Sequence, residues 1–209
     1  MKTLTRYVLS TFGGKAVKRE ELERACRRFD ADTEDTINYM ISYKYFIRIL
    51  RGLYYVKTLE EFRLRKSVDI YKVLSLAIGR LNVNWYFGLY TALRLNGLTH
   101  EYFDTTFILN DAIFRPKEMK VAGEKVKFVK LKSSLFGFGA VNKDRIIFSD
   151  IEKTLLDFIY VSRYGSVPEG RIVSIVEEYG TVAKPDKIGA YLRFYPETVG
   201  LVTKNAGLI

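Results

Sequence analysis

Side chains that bind anions or read hydrogen-bonding groups cluster in the first 57 residues. This segment holds 12 Lys and Arg against 7 Asp and Glu, whereas the rest of the chain holds 22 against 17. Lys and Arg contact phosphates, Asn can pair bidentately with adenine, and Ser and Tyr can bond bases or phosphates. The candidate DNA contacts are Lys15, Lys18, Arg19, Asn38, Tyr39, Ser42, Lys44, Arg48 and Arg51.

Three short helices are predicted to position these groups, because apolar residues recur at helical spacing. Gly13-Gly14 separates the first helix from the second, and Asp30-Ala31-Asp32-Thr33 is predicted to form the polar turn and N-cap that start the third. The apolar faces are Leu4, Tyr7, Val8 and Phe12; then Leu22, Ala25, Cys26 and Phe29; then Ile37, Met40 and Ile41.

A β-hairpin is predicted to follow, with strands Tyr45–Leu50 and Leu53–Val56 around a turn at Arg51-Gly52. Three helices and a hairpin predict a winged helix-turn-helix domain over residues 1–57. The third helix would face the bases, the hairpin would form the basic wing, and Lys15, Lys18 and Arg19 would begin the second helix. The exposed acids Glu34 and Asp35 oppose a phosphate contact, although first-turn acids favour the helix dipole.

A linker is predicted at 58–67 and a mixed α/β domain at 68–209, so the expected fold class is α+β. The predicted strands are Thr106–Leu109, Ala112–Phe114, Lys125–Leu131 and Arg145–Phe148, and the predicted helices include Val68–Ile78, Trp85–Leu95 and Ser149–Tyr160. Ser149 and Glu152 have the spacing of a capping box. Asp150, Glu152 and Lys153 also resemble a metal-dependent nuclease motif, but Glu and Lys are adjacent, which is the wrong spacing for that site.

The sequence lacks the catalytic, metal-binding and phosphate-binding motifs that mark most enzyme classes. Cys26 is the only cysteine and His100 the only histidine, so neither a disulfide nor a Cys/His metal cluster can form. No phosphate-binding glycine loop is present. We expect a non-enzyme with no cofactor and no metal.

No signal peptide or membrane-length apolar run is visible, which predicts a cytoplasmic protein. The absence of Gln beside 28% charged residues suggests a thermophilic source.

Lysines alternate with apolar residues at Lys125, Lys127, Lys130 and Lys132. Such a strand could form a second DNA contact or a docking surface for an acidic partner. Lysines on an edge strand also prevent sheets from aggregating, and the pattern favours that interpretation.

Two segments resemble the AbiEi family, the antitoxins of type IV abortive-infection toxin–antitoxin systems. Residues 86–99, YFGLYTALRLNGLT, resemble the family's "ALxxxGLT" helix, and residues 152–157, EKTLLD, match its "EKTLLD" helix position by position. Arg51-Gly52-Leu53-Tyr54 resembles the end of the family's N-terminal wing. The resemblance covers residues 3–165, and the sequence after Tyr164 matches nothing in it.

The resemblance implies a regulator that binds inverted repeats of double-stranded DNA in its own promoter and represses the operon. It further implies an antitoxin that acts against a partner nucleotidyltransferase toxin, with or without direct contact. One alternative is a regulator whose second domain senses a ligand in a pocket lined by aromatic residues such as Trp85, Tyr86, Phe87 and Tyr90. The other is an interaction module that never binds DNA.

Overall fold

Ten α-helices and two β-sheets form the described part of the chain, which confirms the α+β class. The computed structural model describes residues 2–64, 67–99, 101, 103–162 and 169–209. His100 lies outside these ranges. So does Tyr164, after which the sequence no longer resembles the AbiEi family. Among the described helices, none combines the length and apolar character needed to cross a membrane. The contacts divide the chain into one unit of Met1–Asn82 with Lys120–Glu124, and a second of Val83–Met119 with Lys125–Ile209.

The first unit contains the three predicted helices and the hairpin, a further strand and short helix, and the helix predicted at Val68–Ile78. Its elements are α1 (Lys2–Phe12), β1 (Lys15–Lys18), α2 (Arg19–Arg27), α3 (Thr33–Ser42), β2 (Phe46–Leu50), β3 (Leu53–Val56), α4 (Leu59–Arg63) and α5 (Ile70–Ile78).

Local signals fix the start of α3 and the hairpin turn. The Asp32 carboxylate accepts a hydrogen bond from the Asp35 N–H at 2.8 Å, so Asp32 is the N-cap and lies within the segment predicted to contain it. Gly52 has a φ of +75° in the turn between β2 and β3. A residue with a Cβ atom is strained in that conformation, so glycine suits this position.

The sheet of the first unit has the strand order β1-β3-β2, with both pairs antiparallel. Lys15 lies opposite Val56 and Lys18 opposite Leu53. The expectation that Lys15 lies at the start of the second helix is therefore wrong, since Lys15 begins a strand. Lys18 ends that strand and is also the N-cap of α2, where it was expected. Strand β1 has four residues, and its partner is distant in sequence, so the local pattern does not reveal it.

Both faces of this sheet are covered. Phe46 and Tyr54 join the core formed with α1, α2 and α3. The alternate residues Ala16, Ile47 and Tyr55 are buried on the other face, and α5 contacts β1 and β3. The sequence predicts a linker at 58–67. The contacts instead extend the first unit to Asn82, because α5 packs against the sheet.

The strands of the second unit belong to a six-stranded sheet of order β6-β7-β5-β4-β9-β8, in which Lys120 and Val121 of β6 are assigned to the first unit. The pairs β4–β9 and β5–β7 are parallel, whereas β4–β5 and β8–β9 are antiparallel. The elements after Asn82 are β4 (Trp85–Phe87), α6 (Leu89–Leu95), β5 (Thr105–Asn110), β6 (Met119–Val121), β7 (Glu124–Lys130), a 3₁₀ turn (Ser133–Leu135), β8 (Ala140–Lys143), β9 (Ile146–Ser149), α7 (Ile151–Ser162), α8 (Glu169–Gly180), α9 (Pro185–Leu192) and α10 (Glu197–Asn205).

Two predicted elements of this unit are wrong. The predicted helix Trp85–Leu95 is a strand followed by a helix, because residues 85–87 pair with β5 while Phe87 also pairs with Phe148. The predicted strand Ala112–Phe114 is a turn. The Asn110 side-chain oxygen accepts the N–H groups of Ala112 and Ile113, at 3.1 and 2.5 Å, and these bonds direct the chain out of the sheet.

Helix α7 lies at the centre of the second unit and packs against α6, α8, α9 and α10. Every residue from Glu152 to Val161 is buried, including four polar or charged ones. A helix that is buried all round needs internal partners for its polar side chains.

We expect a fragment of residues 1–82 to be more stable than one of residues 1–66. The shorter fragment lacks α5, whose Val73, Leu74 and Ile78 are at most 1% exposed. Each such side chain contributes roughly 1.5–3 kcal/mol when fully buried. Urea denaturation followed by circular dichroism measures the difference, and equal midpoints would show that α5 contributes nothing to this unit.

Candidate nucleic-acid interface

Hydrogen bonds join the hairpin turn to the first residues of α2 and α3. The Arg19 backbone N–H donates to the Gly52 carbonyl at 2.9 Å. The Arg19 guanidinium donates to Glu34 at 2.7 Å and to Glu23 at 3.1 Å. These bonds hold the Arg51-Gly52 turn and the starts of both helices at one end of the unit.

Several candidate DNA contacts are exposed on these elements. Asn38 and Ser42 lie on the exposed side of α3, and Tyr39 is half-buried. Arg48 on β2 and Arg51 in the hairpin turn are both exposed. The Ser42 hydroxyl donates to the Tyr39 carbonyl at 2.9 Å, so its oxygen remains an acceptor. The surface thus offers one amide for a base edge and two guanidiniums for phosphates.

Two other candidates lie away from the hairpin turn. Lys15 is at the opposite end of β1 from Lys18, and its ammonium donates to the Thr11 carbonyl at 3.1 Å. Lys44 follows the C-terminus of α3, in a backbone conformation with a φ of +61°. The candidates therefore form two groups. Lys18, Arg19 and Arg51 belong to the hairpin end, and Lys15 and Lys44 to the other.

The acid Glu34 has a local partner. Its bond to Arg19 raises the pKa of that guanidinium above the usual value, and Glu23 acts in the same direction. Both members of the Arg19–Glu34 pair are substantially exposed, so the pair contributes little to stability. The pair neutralises the charge of Glu34 at the start of α3, and it also engages the Arg19 guanidinium in a bond within the protein.

The "EKTLLD" segment forms a buried polar network in the second unit. The ammonium of Lys153 donates to the Leu135 carbonyl at 2.8 Å and to the Tyr195 hydroxyl at 3.1 Å, and it lies 3.5 Å from Asp157. It also lies 4.2 Å from the centre of the Phe138 ring. The Asp157 carboxylate accepts from the hydroxyls of Tyr86 and Tyr195, at 2.8 and 2.6 Å.

Burial sets the electrostatics of this network. It lowers the pKa of Lys153, with Asp157 opposing the shift, and it raises the pKa of Asp157, with Lys153 and the two tyrosines opposing. The pKa values of Tyr86 and Tyr195 rise well above the usual value, first through burial and then through the charge of Asp157. Both tyrosines therefore remain hydrogen-bond donors across the physiological pH range.

The predicted capping box of Ser149 and Glu152 is wrong. The Asp150 carboxylate, not the Ser149 hydroxyl, accepts the Lys153 N–H at 2.9 Å, and the Ser149 hydroxyl lies 2.7 Å from that of Thr154. Helix α7 begins at Ile151, one residue later than a box anchored on Ser149 requires.

Glu152 instead binds the start of α9. Its carboxylate accepts the Lys184 N–H at 3.1 Å and the Lys187 ammonium at 2.9 Å. Burial would raise the pKa of Glu152, but these bonds outweigh it and the pKa lies below its usual value. Lys187 also pairs with Asp150, and the two carboxylates raise its pKa despite burial. A nuclease-like use of Asp150 and Glu152 would have to displace Lys187.

Sequence reasoning missed Tyr195, Phe138 and Gly139 as partners of Lys153. A Cβ atom on Gly139 would lie 2.8 Å from side-chain atoms of Lys153, so the glycine permits their close approach. No local motif marks this arrangement. The aromatic residues expected to line a ligand pocket belong partly to the core, with Tyr86 2% and Phe87 0% exposed.

Comparisons with known proteins bear on the fold alone. No protein-family model matches the sequence, and no curated protein matches it. The structure is similar to the crystal structure of the RV2827C protein from Mycobacterium tuberculosis, with a TM-score of 0.61 and 13% sequence identity. The match covers 94% of this chain and 73% of that one. The two chains therefore have related folds over nearly the whole length of this one.

We expect Lys153→Met to lower the free energy of unfolding by about 3–5 kcal/mol, because it leaves the buried Asp157 carboxylate without its cation. Adding Asp157→Asn should restore part of this loss, giving a coupling energy of about 1–3 kcal/mol in a double-mutant cycle. The control is Lys143→Met on β8, where the side chain is exposed. Strictly additive losses in urea denaturation would contradict an interacting pair.

We expect Glu152→Gln to destabilise the protein at neutral pH by an amount that shrinks in acid. The folded-state pKa of Glu152 is depressed. The stability that its carboxylate contributes is therefore present above the unfolded-state pKa and is lost as the pH falls through the folded-state pKa. Denaturation at pH values from about 7 down to about 3 measures the loss.

The matched control for this change is Glu177→Gln, at an exposed position of α8. It should change stability by no more than about 0.5 kcal/mol. A loss in Glu152→Gln that stays constant with pH would mean that the carboxylate charge does not hold α9.

Proposed function

We propose that the chain is a DNA-binding transcriptional regulator whose first unit is a winged helix. Helix α3 enters the major groove, and the hairpin of β2 and β3 forms the wing. The element order α1-β1-α2-α3-β2-β3 supports this proposal, as does the pairing of β1 with β3, which ties the hairpin to the helices.

The bond from the Arg19 N–H to the Gly52 carbonyl is the observation that carries the proposal. It fixes the hairpin turn beside the start of α2, while the Arg19–Glu34 pair adds the start of α3. In helix-turn-helix proteins the N-terminal part of the recognition helix, which corresponds to α3 here, contacts base edges. A wing held at that end can therefore reach the phosphates that flank the bases read by α3.

The proposal assigns different roles to the exposed side chains. Asn38 reads a base edge, because an amide can pair bidentately with adenine. Tyr39 and Ser42 complete the surface of α3. Arg48 and Arg51 contact phosphates from the wing, with Lys18 beside them, and these contacts position the protein without carrying sequence information. Lys15 and Lys44 would contact phosphates of the DNA backbone at the other end of the unit.

The AbiEi resemblance extends the proposal to an antitoxin of a type IV system. On this view the first unit represses the chain's own promoter at inverted repeats, and the second unit counters a nucleotidyltransferase toxin. The "EKTLLD" residues are buried in the described structure, so their role in such an antitoxin would be to hold the fold. A growth-rescue assay with a nucleotidyltransferase encoded beside this gene tests this part separately from DNA binding.

We expect Arg51→Ala to weaken binding to the upstream DNA of its own gene and to flatten the salt dependence of that binding. The loss of one phosphate contact lowers the slope of log K against log salt by about one unit. The weakening should be similar on unrelated sequences. A mobility-shift titration at several salt concentrations measures both quantities.

The controls use the same assay. Lys72→Ala removes an exposed cation from α5, on the face of the sheet opposite to α1–α3, and should leave the slope unchanged. Glu34→Gln should strengthen binding, because it removes an acid from the start of α3 and releases Arg19. An unchanged slope in Arg51→Ala, or equal slopes in Arg51→Ala and Lys72→Ala, would remove the wing from the interface.

A further inference from the structure

Part of strand β7 has an open edge, beside which no other strand lies among the residues that the structure describes. Strand β7 has seven residues, whereas its neighbour β6 has three and joins it through a turn at Ala122-Gly123. Because adjacent strands have nearly the same rise per residue, the three residues of β6 can lie beside only the first residues of β7. The stretch from Lys127 to Lys130 extends past the end of β6.

The backbone direction along this stretch follows from its bonds to β5. The Leu131 N–H donates to the Asn110 carbonyl at 2.8 Å, and the Val129 carbonyl accepts from the Asn110 side chain at 3.3 Å. Successive residues of a strand point their backbone groups to opposite sides. The N–H and C=O groups of Phe128 and Lys130 therefore point away from β5, toward the open edge.

A cleft of about 680 Å³ lies along this edge. Its apolar wall includes Phe114, which is 72% exposed, together with Pro116 and Tyr160. The protection of an edge by lysines does not require a large exposed aromatic ring beside it. Unpaired backbone groups at a strand edge are a template for pairing with another chain, and the Phe114 ring adds apolar surface beside them.

The charges of the cleft favour an acidic occupant. Four basic residues line it: Arg115, Lys127, Lys130 and Lys132. The one acid in its lining, Asp111, already accepts hydrogen bonds from the backbone and side chain of Asn84, at 3.0 and 2.7 Å. Among the residues that the structure describes, the ion pairs include none of Arg115, Lys130 and Lys132.

We propose that the open edge of β7 binds an extended acidic segment of a partner protein by strand addition. Backbone groups of the segment pair with those of Phe128 and Lys130, its acidic side chains meet the surrounding cations, and apolar side chains contact Phe114. A nucleic acid is a poorer match, because phosphates gain nothing from strand-spaced N–H and C=O groups or from an apolar wall. This inference does not depend on DNA binding by the first unit.

The test titrates the full chain with a fluorescein-labelled octapeptide of alternating glutamate and valine. Saturable binding should shift the amide resonances of Phe128 and Lys130 in a ¹⁵N–¹H spectrum. The control peptide has the same sequence with N-methyl groups on its four central residues. It keeps the charge but cannot add as a strand, so it should not bind.

Charge reversal gives a matched pair of variants. Lys130→Glu should weaken peptide binding by at least about tenfold, because like charges then meet across the contact. Lys143→Glu, at an exposed position on the opposite edge strand β8, should leave it unchanged. The amide spectrum of each variant verifies that the fold is retained.

Four results would overturn the proposal. These are no binding of the octapeptide, equal binding of the N-methylated peptide, equal losses in the two lysine variants, and a DNA duplex that shifts the same amides and displaces the peptide. The last would assign the edge to nucleic acid. DNA binding that is unaffected by Lys130→Glu would keep the two proposals separate.

Discussion

The second unit depends on a charged pair that water does not reach. Lys153 and Asp157 lie on one side of α7, and both side chains are 0% exposed. Burying two charges costs several kcal/mol for each ion unless hydrogen bonds and the partner charge offset it. The structure supplies those bonds from β4 through Tyr86, from the 3₁₀ turn through Leu135, and from the end of α9 through Tyr195. Four segments must therefore assemble before α7 can be buried.

That requirement explains why the "EKTLLD" segment contains so many polar residues. Lys153 and Asp157 form the central pair, Thr154 bonds to Ser149, and Glu152 binds the first turn of α9. The leucines between them fill the hydrophobic core. A sequence pattern that invites a catalytic interpretation is here satisfied by internal partners, and each acid has a cation or a hydroxyl donor at bonding distance.

Two features determined by neighbours in sequence were predicted correctly, whereas the local capping box of Ser149 and Glu152 was not. The Asp32 cap bonds to an N–H three residues away, and the hairpin strands are separated by a two-residue turn. Features determined by distant partners were missed or wrong. Strand β1 exists because β3 pairs with it, and residues 85–87 are extended because β5 and β9 flank them. Asp157 accepts a hydrogen bond from Tyr195, which lies 38 residues later in the sequence. The candidate DNA contacts were named from residue types, but their division into two groups follows only from the register of β1.

The two units use basic residues in different settings, and this difference limits what the net charge of +10 can explain. In the first unit, Arg48 and Arg51 project from the hairpin of β2 and β3, and their proposed contribution is charge and side-chain geometry. In the second unit, Lys127 and Lys130 flank backbone groups that point to an open edge. A polyanion is attracted to both surfaces by counterion release. The second surface combines a strand edge with a cleft that has an apolar wall, so salt concentration should affect the two surfaces differently. Binding at the wing should fall steeply with salt, whereas strand pairing on β7 should retain the part of its affinity that comes from backbone bonds and apolar contact.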